Sequence, residues 1–483
     1  MKKFIYILLI IILLFGITGV GLAFWFYNGN LKEKIMQKAA GSIIKKFTVN
    51  QASINSSTVD NVSDIFKDAL GFYEVKNYLI LFLNNTELRP GGGFIGTYAI
   101  VKMDKGSPQI IHVDGTENLA VHYNKIASPK PIADFLTTQS LEFRDSNWWP
   151  DFASSTQMTL ATYKSSNGVM ADNIDAVIGF TPTVFEEILK LTGPFKYDGI
   201  TFDSSNFTKE LEYEVEYNFK NKGIAFKSRK QIMEGIMAEM VKKLVVDVFL
   251  RWANYTKLTV DMLAQKQLLF YSNDTYTQQI IDYKDMGGRV KQTNGDYLLW
   301  VDANLGALKT DAALKRELSY GFKAADKNKY LATVKMKYIH NGVFDWRTTR
   351  YRTYARIYAP LGSEYKQVSL NNLRGDKKVD QGQEFGKQWF GTFVSIEPQN
   401  TGELVWQFYL SKDIVAQIKK GEYSLNVQKQ LGGIDNKLSL DLDFGRRLNF
   451  ASPSEKTSDV GNNIYTLQTD LKVDRDFQVK MLK

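Results

Sequence analysis

The hydrophobic and polar positions divide the chain into an apolar front segment, a polar connection and a long body. Residues 4–27 carry no charge and end in the aromatic stretch "FWFY". A helix needs about 20 apolar residues to cross a bilayer, whereas the apolar part of a signal peptide usually has about 7–15. The pattern therefore favours an uncleaved transmembrane signal anchor whose aromatic end lies at the membrane interface. Residues 41–62 are polar and rich in Ser and Asn, so we predict a stalk or linker over 28–65.

Charges on the two sides of the apolar segment are almost balanced. Lys2 and Lys3 precede it, and Lys32, Lys34 and Lys38 follow it. The rule that basic residues are enriched on the cytoplasmic side therefore does not fix the orientation of this segment in the membrane. The first flank, the lack of cysteine and the size of the body favour a short cytoplasmic tail over 1–3. We expect a single-pass protein of the cell membrane whose bulk is extracytoplasmic.

Predicted strands and helices alternate over residues 66–313. The run 76–85 is continuously apolar, as central strands are. The stretch "GTYAIVKMDKGSPQIIHVDG" predicts two further strands around a turn, and "SSTQMTLATYKSSNG" predicts a helix. The clearest unit is a strand over 174–180 followed by a helix over 183–191 that ends at Gly-Pro. A long amphipathic helix over 228–252 and the strands "QKQLLFYS" and "DYLLWVDAN" complete a pattern typical of an α/β domain.

The pattern changes over residues 314–483, where short alternating segments follow one another closely. Examples are "YLATVKMKYIHN", "ELVWQFYLS" and "LSLDLDF", and each is bounded by Gly, Pro, Asn or Asp. Such segments predict an all-β sandwich.

Composition excludes several kinds of site. There is no cysteine, which rules out thiolate metal sites and a cysteine nucleophile. The three histidines, His112, His122 and His340, are far apart and argue against a zinc site or a Ser-His-Asp triad. The net charge of +9 is spread over many lysines. It suits a solvated surface or attraction to an anionic lipid or polymer, but no basic run is dense enough to predict a nucleic-acid partner.

The stretch "LRPGGGFIGTYAIV" carries Gly91, Gly93 and Gly96 at the spacing G-x-G-x-x-G. A dinucleotide site needs this loop between a strand and a helix, because the helix N-terminus binds the pyrophosphate. Here a β-branched and aromatic strand follows, so we expect no nucleotide cofactor. Two interpretations of Arg89 stay open: it forms a salt bridge within a glycine-rich turn, or it binds an anion that approaches the backbone through the glycines.

Two further features carry candidate chemistry. The segment 143–152, "FRDSNWWPDF", combines two tryptophans with two carboxylates and an arginine. Such a loop suits a sugar or divalent-metal site, or it is a surface loop held by its tryptophans. Arg229 begins the long predicted helix, where it favours an anion together with the helix N-terminus, or is simply an exposed charge.

Several motifs together resemble a bacterial membrane-anchored family called domain of unknown function family 4012. They are "LFLNNTELRPGGGFIGTYAIV", "FRDSNWWPDF", "IDAVIGFTPTVFEEILKLTGP" and "GEYSLNVQKQLGG". The order of elements is also distantly similar to the LytR-CpsA-Psr proteins, extracytoplasmic α/β enzymes behind one N-terminal anchor. These transfer glycopolymers from polyprenyl-pyrophosphate carriers onto peptidoglycan with Mg²⁺ and a cluster of Arg and Asp. The resemblance implies a LytR-CpsA-Psr-like mixed-sheet α/β domain with flanking helices, then an all-β sandwich, behind one transmembrane helix.

Matching the motifs places Arg89 where that family has Arg-Ser-Asp, and Arg229 with Gln231 where it has Arg-Gln-Gln. Pro90 and Gly91 replace the Ser and Asp, "HVDGTEN" replaces a Pro-Arg-Asp, and Phe226 occupies the place of a further arginine. The implied function is binding, and transfer to a cell-wall acceptor, of a polyprenyl-pyrophosphate glycan. The alternative is a non-enzymatic envelope scaffold or glycan-binding protein.

The motifs and the resemblance together predict three sets of site residues. The catalytic set is Arg89, Arg144, Asp145, Asp151 and Arg229. The ligand-binding set is Gly91, Gly92, Gly93, Asn147, Trp148, Trp149, Lys227 and Gln231. Asp145 and Asp151 are the expected ligands of Mg²⁺. The expected partners are the bilayer through residues 4–27, the lipid-linked glycan and peptidoglycan.

Overall fold

The computed structural model describes residues 67–119, 126–375, 378–434, 436–454 and 461–482. The expected tail, anchor and stalk, residues 1–65, lie outside the described residues. Within the described ranges, no helix is both long enough and apolar enough to span a bilayer.

A mixed five-stranded sheet with helices on both faces forms the N-terminal part. Its strands and an accompanying hairpin are β1 (Lys76–Asn84), β2 (Phe94–Asp104), β3 (Ser107–Gly115), β4 (Ala176–Phe180), β5 (Phe195–Tyr197), β6 (Ile200–Phe202) and β7 (Leu268–Ser272). Its helices are α1 (Lys130–Leu136), α2 (Phe152–Ser165), α3 (Pro182–Thr192), α4 (Phe207–Tyr213), α5 (Ile232–Leu250), α6 (Trp252–Ala264) and α7 (Thr275–Tyr283). Short 3₁₀ or π turns cover Thr116–Asn118, Phe143–Asp145, Ala171–Asn173, Glu214–Asn218 and Phe226–Gln231.

The order of this sheet is β3-β2-β1-β4-β7, with β1 antiparallel to β2 and parallel to β4. The unbroken apolar run of β1 is explained because both of its faces are buried. Tyr78 and Ile80 pack towards α3, α5 and α6, whereas Leu79 and Leu81 pack towards α2. The prediction of an α/β domain is therefore confirmed at this level.

A two-sheet β structure forms the C-terminal part. Its strands are β8 (Asp296–Asn304), β9 (Leu314–Asp326), β10 (Lys329–His340), β11 (Tyr351–Pro360), β12 (Glu364–Asn371), β13 (Asp380–Glu384), β14 (Lys387–Ile396), β15 (Thr401–Tyr409), β16 (Glu422–Gln428), β17 (Lys437–Asp443), β18 (Leu448–Ser452), β19 (Ile464–Asp470) and β20 (Arg475–Met481). One helix, α8 (Lys412–Lys420), precedes β16, and a 3₁₀ turn covers Thr310–Ala313. The six-stranded order is β12-β15-β10-β9-β17-β19, and the seven-stranded order is β13-β14-β11-β8-β16-β20-β18.

The two sheets share one hydrophobic core. Met336 and Trp406 from the six-stranded sheet pack with Ile357 and Leu425 from the seven-stranded sheet. The strand β8 was grouped with the α/β elements in the sequence prediction. In the structure, β8 instead pairs with β11 and β16 in the seven-stranded sheet. All nine of its residues are buried there.

One carboxylate of this core has two tyrosine hydroxyl groups, rather than a cation, as its side-chain partners among the described residues. Asp296 is fully buried and accepts hydrogen bonds from the hydroxyl groups of Tyr423, at 2.7 Å, and Tyr320. Burial raises the pKa of Asp296 to about 6, although the hydrogen bonds partly oppose this shift.

The chain returns from the sandwich to the α/β part after β16. Leu431 packs in the core beside α2, and the amide of Gly432 donates to the carbonyl of Lys266 at 2.9 Å. The carbonyl of Gly432 accepts from Nδ2 of Asn85 at 3.2 Å. The stretch "QKQLGG" thus ties the two parts together at the end of β1.

Candidate functional site

Arg89 lies in the turn between β1 and β2, and its side chain is 3% exposed. Its Nε and Nη2 donate to Oδ1 of Asp145 at 3.3 and 3.1 Å, and its Nη1 donates to the carbonyl oxygen of Asn304. These bonds join the turn to the 143–152 loop and to β8 of the sandwich. Of the two interpretations of Arg89, the geometry favours the structural salt bridge.

The glycines of this turn allow close backbone packing. A Cβ atom on Gly93, whose φ is +150°, would lie 2.6 Å from the carbonyl carbon of Asn84. A Cβ atom on Gly432 would lie 1.7 Å from the carbonyl oxygen of Gly92. Gly91 forms a bridge with Leu431 in the returning segment. Because side chains would block these approaches, the glycines serve the junction of the two parts.

The tryptophan-containing loop lies at the same junction. Trp148 is buried, the Arg356 guanidinium stacks 4.6 Å from its ring centroid, and Nη2 of Arg356 donates to its carbonyl at 2.8 Å. Asn147 donates from Nδ2 to the carbonyl of Gly93 at 2.6 Å. Trp149 is half-buried, and its amide donates to Oγ of Ser155 at 3.1 Å. The loop therefore holds the α/β part against the sandwich.

The two expected magnesium ligands are engaged separately. Asp145 binds Arg89, whereas Asp151 caps α2 by accepting from the amide of Ser154 at 2.9 Å. Asp151 also accepts from the amide of Val290 at 3.1 Å and from Nη1 of Arg289 at 3.2 Å. Over the described ranges, His, Asp and Glu form no group of three that could hold a metal ion. These residues do not fit Mg²⁺, whose sites use carboxylates that face an open, hydrated position.

A cavity of about 220 Å³ lies where β1 and β2 meet α3, α4 and the start of α5. Its apolar walls are Phe82, Leu83, Phe94, Phe180, Pro182, Phe185, Phe207, Leu211, Val215, Phe226, Met233 and Ile236. The rings of Phe82, Phe180 and Phe185 pack on one another with centroids 4.8 and 5.3 Å apart. This lining suits an apolar ligand.

Charged side chains line the same cavity. The cations are Arg144, Arg229, Lys230 and Lys309, and the carboxylates are Glu117, Glu212 and Glu216. They come from α4, from the turns after β3, α4 and β8, and from the turns before α2 and α5, so the fold brings together charges that are distant in the sequence.

Arg229 is the central cation of this group. Its side chain is 8% exposed, its guanidinium carbon lies 4.3 Å from the ring centroid of Phe226, and its Nη2 binds Oε1 of Glu117 at 2.9 Å. Nη1 binds Glu216 and donates to the carbonyl of Val215 at 3.3 Å. Its buried Nε has no hydrogen-bond partner among the described residues. A buried donor without a partner is costly, so this atom can bind a ligand oxygen at little cost.

The neighbouring charges are held in place electrostatically. Burial raises the pKa of Glu117, but Lys230 and Arg229 outweigh burial and the net pKa is lowered. Burial also raises the pKa of Glu216, but Lys309 and Arg229 lower it overall. Burial lowers the pKa of Lys230, with Glu117 only partly opposing this effect. Burial lowers the pKa of Lys309 too, but Glu216 and other nearby carboxylates raise it overall.

The structure places the expected site residues in different positions. Arg144 and Arg229 line the cavity, and Lys227 is exposed beside it. Arg89 does not line the cavity. Its guanidinium lies 5.3 Å from the ring centroid of Phe94, which does. Asp151 lies on α2 across the sheet, and the side chain of Gln231 is outside the described residues.

Sequence reasoning missed Lys230, Glu117, Glu216 and Lys309. Lys230 is next to Arg229 in "FKSRKQ", and Glu117 belongs to "HVDGTEN", so both were within reach of a search for charges near the expected site. Nothing in the sequence placed Glu216 or Lys309 near them.

The curated proteins include no match to this chain. Similar solved structures include a Legionella pneumophila protein described as nutrient binding, with 8% identity, a TM-score of 0.27, and coverage of 38% of this chain and 71% of that one. Leukotriene A4 hydrolase from Saccharomyces cerevisiae shows 11% identity, a TM-score of 0.22, and coverage of 35% and 28%. An M1 zinc metallopeptidase from Deinococcus radiodurans shows 10% identity, a TM-score of 0.18, and coverage of 36% and 43%. This chain spans less than half the length of the leukotriene A4 hydrolase and of the metallopeptidase.

A family model gives the firmer result. Residues 74–215 match the family described as "Protein of unknown function (DUF4012)", and this match supports the family that the sequence motifs predicted.

Proposed function

We propose that this protein is a membrane-anchored envelope protein that binds a polyprenyl-pyrophosphate-linked glycan. One observation carries the proposal: a single cavity combines continuous apolar walls with four cations, which outnumber its three carboxylates. An amphiphile with an apolar chain and a phosphate head group matches this combination. The uncharged run 4–27 supports the membrane location, with the body outside the cytoplasm.

The apolar walls would hold the part of the lipid chain next to the head group. The cavity volume of about 220 Å³ is below the roughly 300–1,000 Å³ of common ligand sites. The cavity would therefore enclose only the first units of a long chain, and the rest would extend outwards.

The diphosphate would bind at Arg229. Nε of Arg229 would donate one charge-assisted hydrogen bond to a phosphate oxygen, while Nη1 and Nη2 stay bound to Glu216 and Glu117. Lys230 and Lys309 would add positive charge, while Glu117 and Glu216 would orient the guanidinium.

We propose binding rather than transfer. The distant resemblance to the LytR-CpsA-Psr transferases suggests transfer, but Arg89 and Asp145 bind each other, and Asp151 lies across the sheet. None of these three lines the cavity. No magnesium-dependent step is assigned, because the two aspartates do not fit that ion.

Calorimetry on the full-length protein in detergent tests the proposal with farnesyl diphosphate as the probe. Farnesol and inorganic pyrophosphate, which carry only one half of the recognised chemistry, should each bind more weakly. Arg229→Gln should weaken binding about 10- to 100-fold, since one charge-assisted hydrogen bond contributes about 1.5–3 kcal/mol. Ile236→Trp should abolish binding by filling the cavity.

Arg374→Gln is the matched control, because that arginine is 71% exposed, belongs to the connection between β12 and β13, and does not line the cavity. It should bind farnesyl diphosphate as the wild type does. Equal affinity of the wild type, Arg229→Gln and Ile236→Trp would refute the proposal.

A further inference from the structure

Several large apolar side chains are exposed beside the cavity. Phe226 both lines the cavity and is 55% exposed, and Phe344 is 64% exposed on the loop after β10. Tyr217, Ile224 and Val343 are exposed on the same two segments. Clustered apolar exposure of this kind marks a surface that contacts another apolar phase.

The two segments form one surface. The ring of Trp346 lies 5.4 Å from that of Tyr213 and 6.2 Å from that of Tyr217. Next to it, Nε of Arg347 binds Oε2 of Glu212 at 2.7 Å, and Glu212 lines the cavity. We call this surface the aromatic rim, made of Tyr217, Ile224, Phe226, Val343, Phe344 and Trp346.

Basic residues accompany the aromatic rim. Lys220 and Lys227 are exposed in the short stretch that carries Ile224 and Phe226, whereas Lys222 is paired with Asp198 and Glu214. Asp345 is the exposed carboxylate on the other segment of the rim. Each lysine near an anionic bilayer contributes about 1 kcal/mol of attraction. Phe, Trp and Tyr with lysine are also the residues that favour the membrane–water interface. A sugar site, in contrast, gains little from Ile224 and Val343.

We propose that the aromatic rim docks on the surface of an anionic lipid bilayer. This inference rests on the exposed side chains themselves, and it adds to the proposed function a direct route from bilayer to cavity.

The chain length permits this orientation. The cavity lies at the Asn84 end of β1, so the rim would face the membrane while Lys76 lies about 25–30 Å further away. Residues 28–66 are enough to reach that distance, since an extended chain of their number covers up to about 130 Å.

Site-specific fluorescence tests the docking, because the chain has no cysteine of its own. Ile224→Cys and Phe344→Cys would each carry one environment-sensitive fluorophore. The matched control is Leu361→Cys: Leu361 is also exposed, but it lies beyond β11 at the end opposite to the rim. Each full-length variant is reconstituted into vesicles with about one-third phosphatidylglycerol and nitroxide-labelled lipids.

Labels at 224 and 344 should be quenched about threefold more strongly than the label at 361, and pure phosphatidylcholine or high salt should reduce this difference. Equal quenching at all three positions would overturn the proposal. Shielding of the rim labels from water without quenching by lipid would also overturn it, and would indicate a protein partner.

Farnesyl diphosphate titration of the same samples separates the two proposals. If the labels at 224 and 344 are not quenched by lipid but farnesyl diphosphate still binds, only the docking proposal is refuted. If the rim labels are quenched by lipid but farnesyl diphosphate does not bind, only the proposed ligand is refuted.

Discussion

Replacing Arg89 distinguishes a structural anchor from a ligand-binding residue. Arg89→Met keeps much of the apolar volume and removes the guanidinium. Asp145, whose side chain is 3% exposed, then loses its partner at 3.1 Å, and the carbonyl of Asn304 loses a donor. We expect the free energy of unfolding to fall while the affinity for farnesyl diphosphate stays within about threefold of the wild type.

The magnitude follows from the burial of the pair. Removing one partner of a buried ion pair costs about 3–5 kcal/mol. Arg144 lies 3.6 Å from the other oxygen of Asp145 but is 41% exposed, so it compensates only in part. The loss of the hydrogen bond to Asn304 adds about 1 kcal/mol. Because compensation by Arg144 offsets about the same amount as this added loss, we expect a total of about 3–5 kcal/mol.

Urea unfolding of the single variants and of Arg89→Met with Asp145→Leu provides the assay. The double variant should lose about 2 kcal/mol less than the sum of the singles, because no buried charge is left unpaired. Arg229→Gln should differ from Arg89→Met by a large loss of affinity, in addition to the stability lost when Glu117 and Glu216 lose their partner. If Arg89→Met stayed as stable as the wild type and lost affinity 10-fold or more, the reasoning would be wrong.

Two further predictions concern stability. The stability that neutral Asp296 contributes is fully present below pH 3.8 and is lost as the pH rises through about 6. Urea unfolding should therefore show that the stability of Asp296→Asn relative to the wild type rises by about 2.5 kcal/mol between pH 4 and pH 8. Asp441→Asn, at an exposed position, is the control. Parallel pH profiles of the Asp296 variant and the wild type would contradict this prediction. Gly432→Ala should lower the free energy of unfolding by about 3 kcal/mol or more, because its Cβ would meet the carbonyl of Gly92. Gly445→Ala, also at positive φ but with no atom within 4 Å, should cost only about 1 kcal/mol, and equal losses would argue against the close approach.

Local patterns predicted most elements of the fold. The apolar run of β1 and the unit made by β4 and α3 were predicted within two residues of their ends. The helix predicted over 228–252 is α5 preceded by a 3₁₀ turn. The partners of β8 were not predictable, because a fully buried strand has no polar face that indicates its sheet.

The site was less predictable because its charges come from distant segments. Two residues of the sequence motifs, Arg89 and Trp148, instead hold the α/β part against the sandwich. Arg229 was found since it begins a visible helix. Glu216 and Lys309 meet only through folding, as their separation by more than 90 residues shows.

The cavity depends on more of the chain than the family segment. Residues 74–215 supply the aromatic walls from Phe82 to Phe207, but Arg229 and Lys309 lie beyond that segment. Lys309 comes from the connection between β8 and β9 of the sandwich. The family match therefore covers most of the apolar walls, with Phe226, Met233 and Ile236 outside it, whereas most of the positive charge of the cavity comes from elsewhere. If the proposed ligand is correct, recognition of its phosphate requires the sandwich to be docked, which explains why so many buried contacts hold that junction.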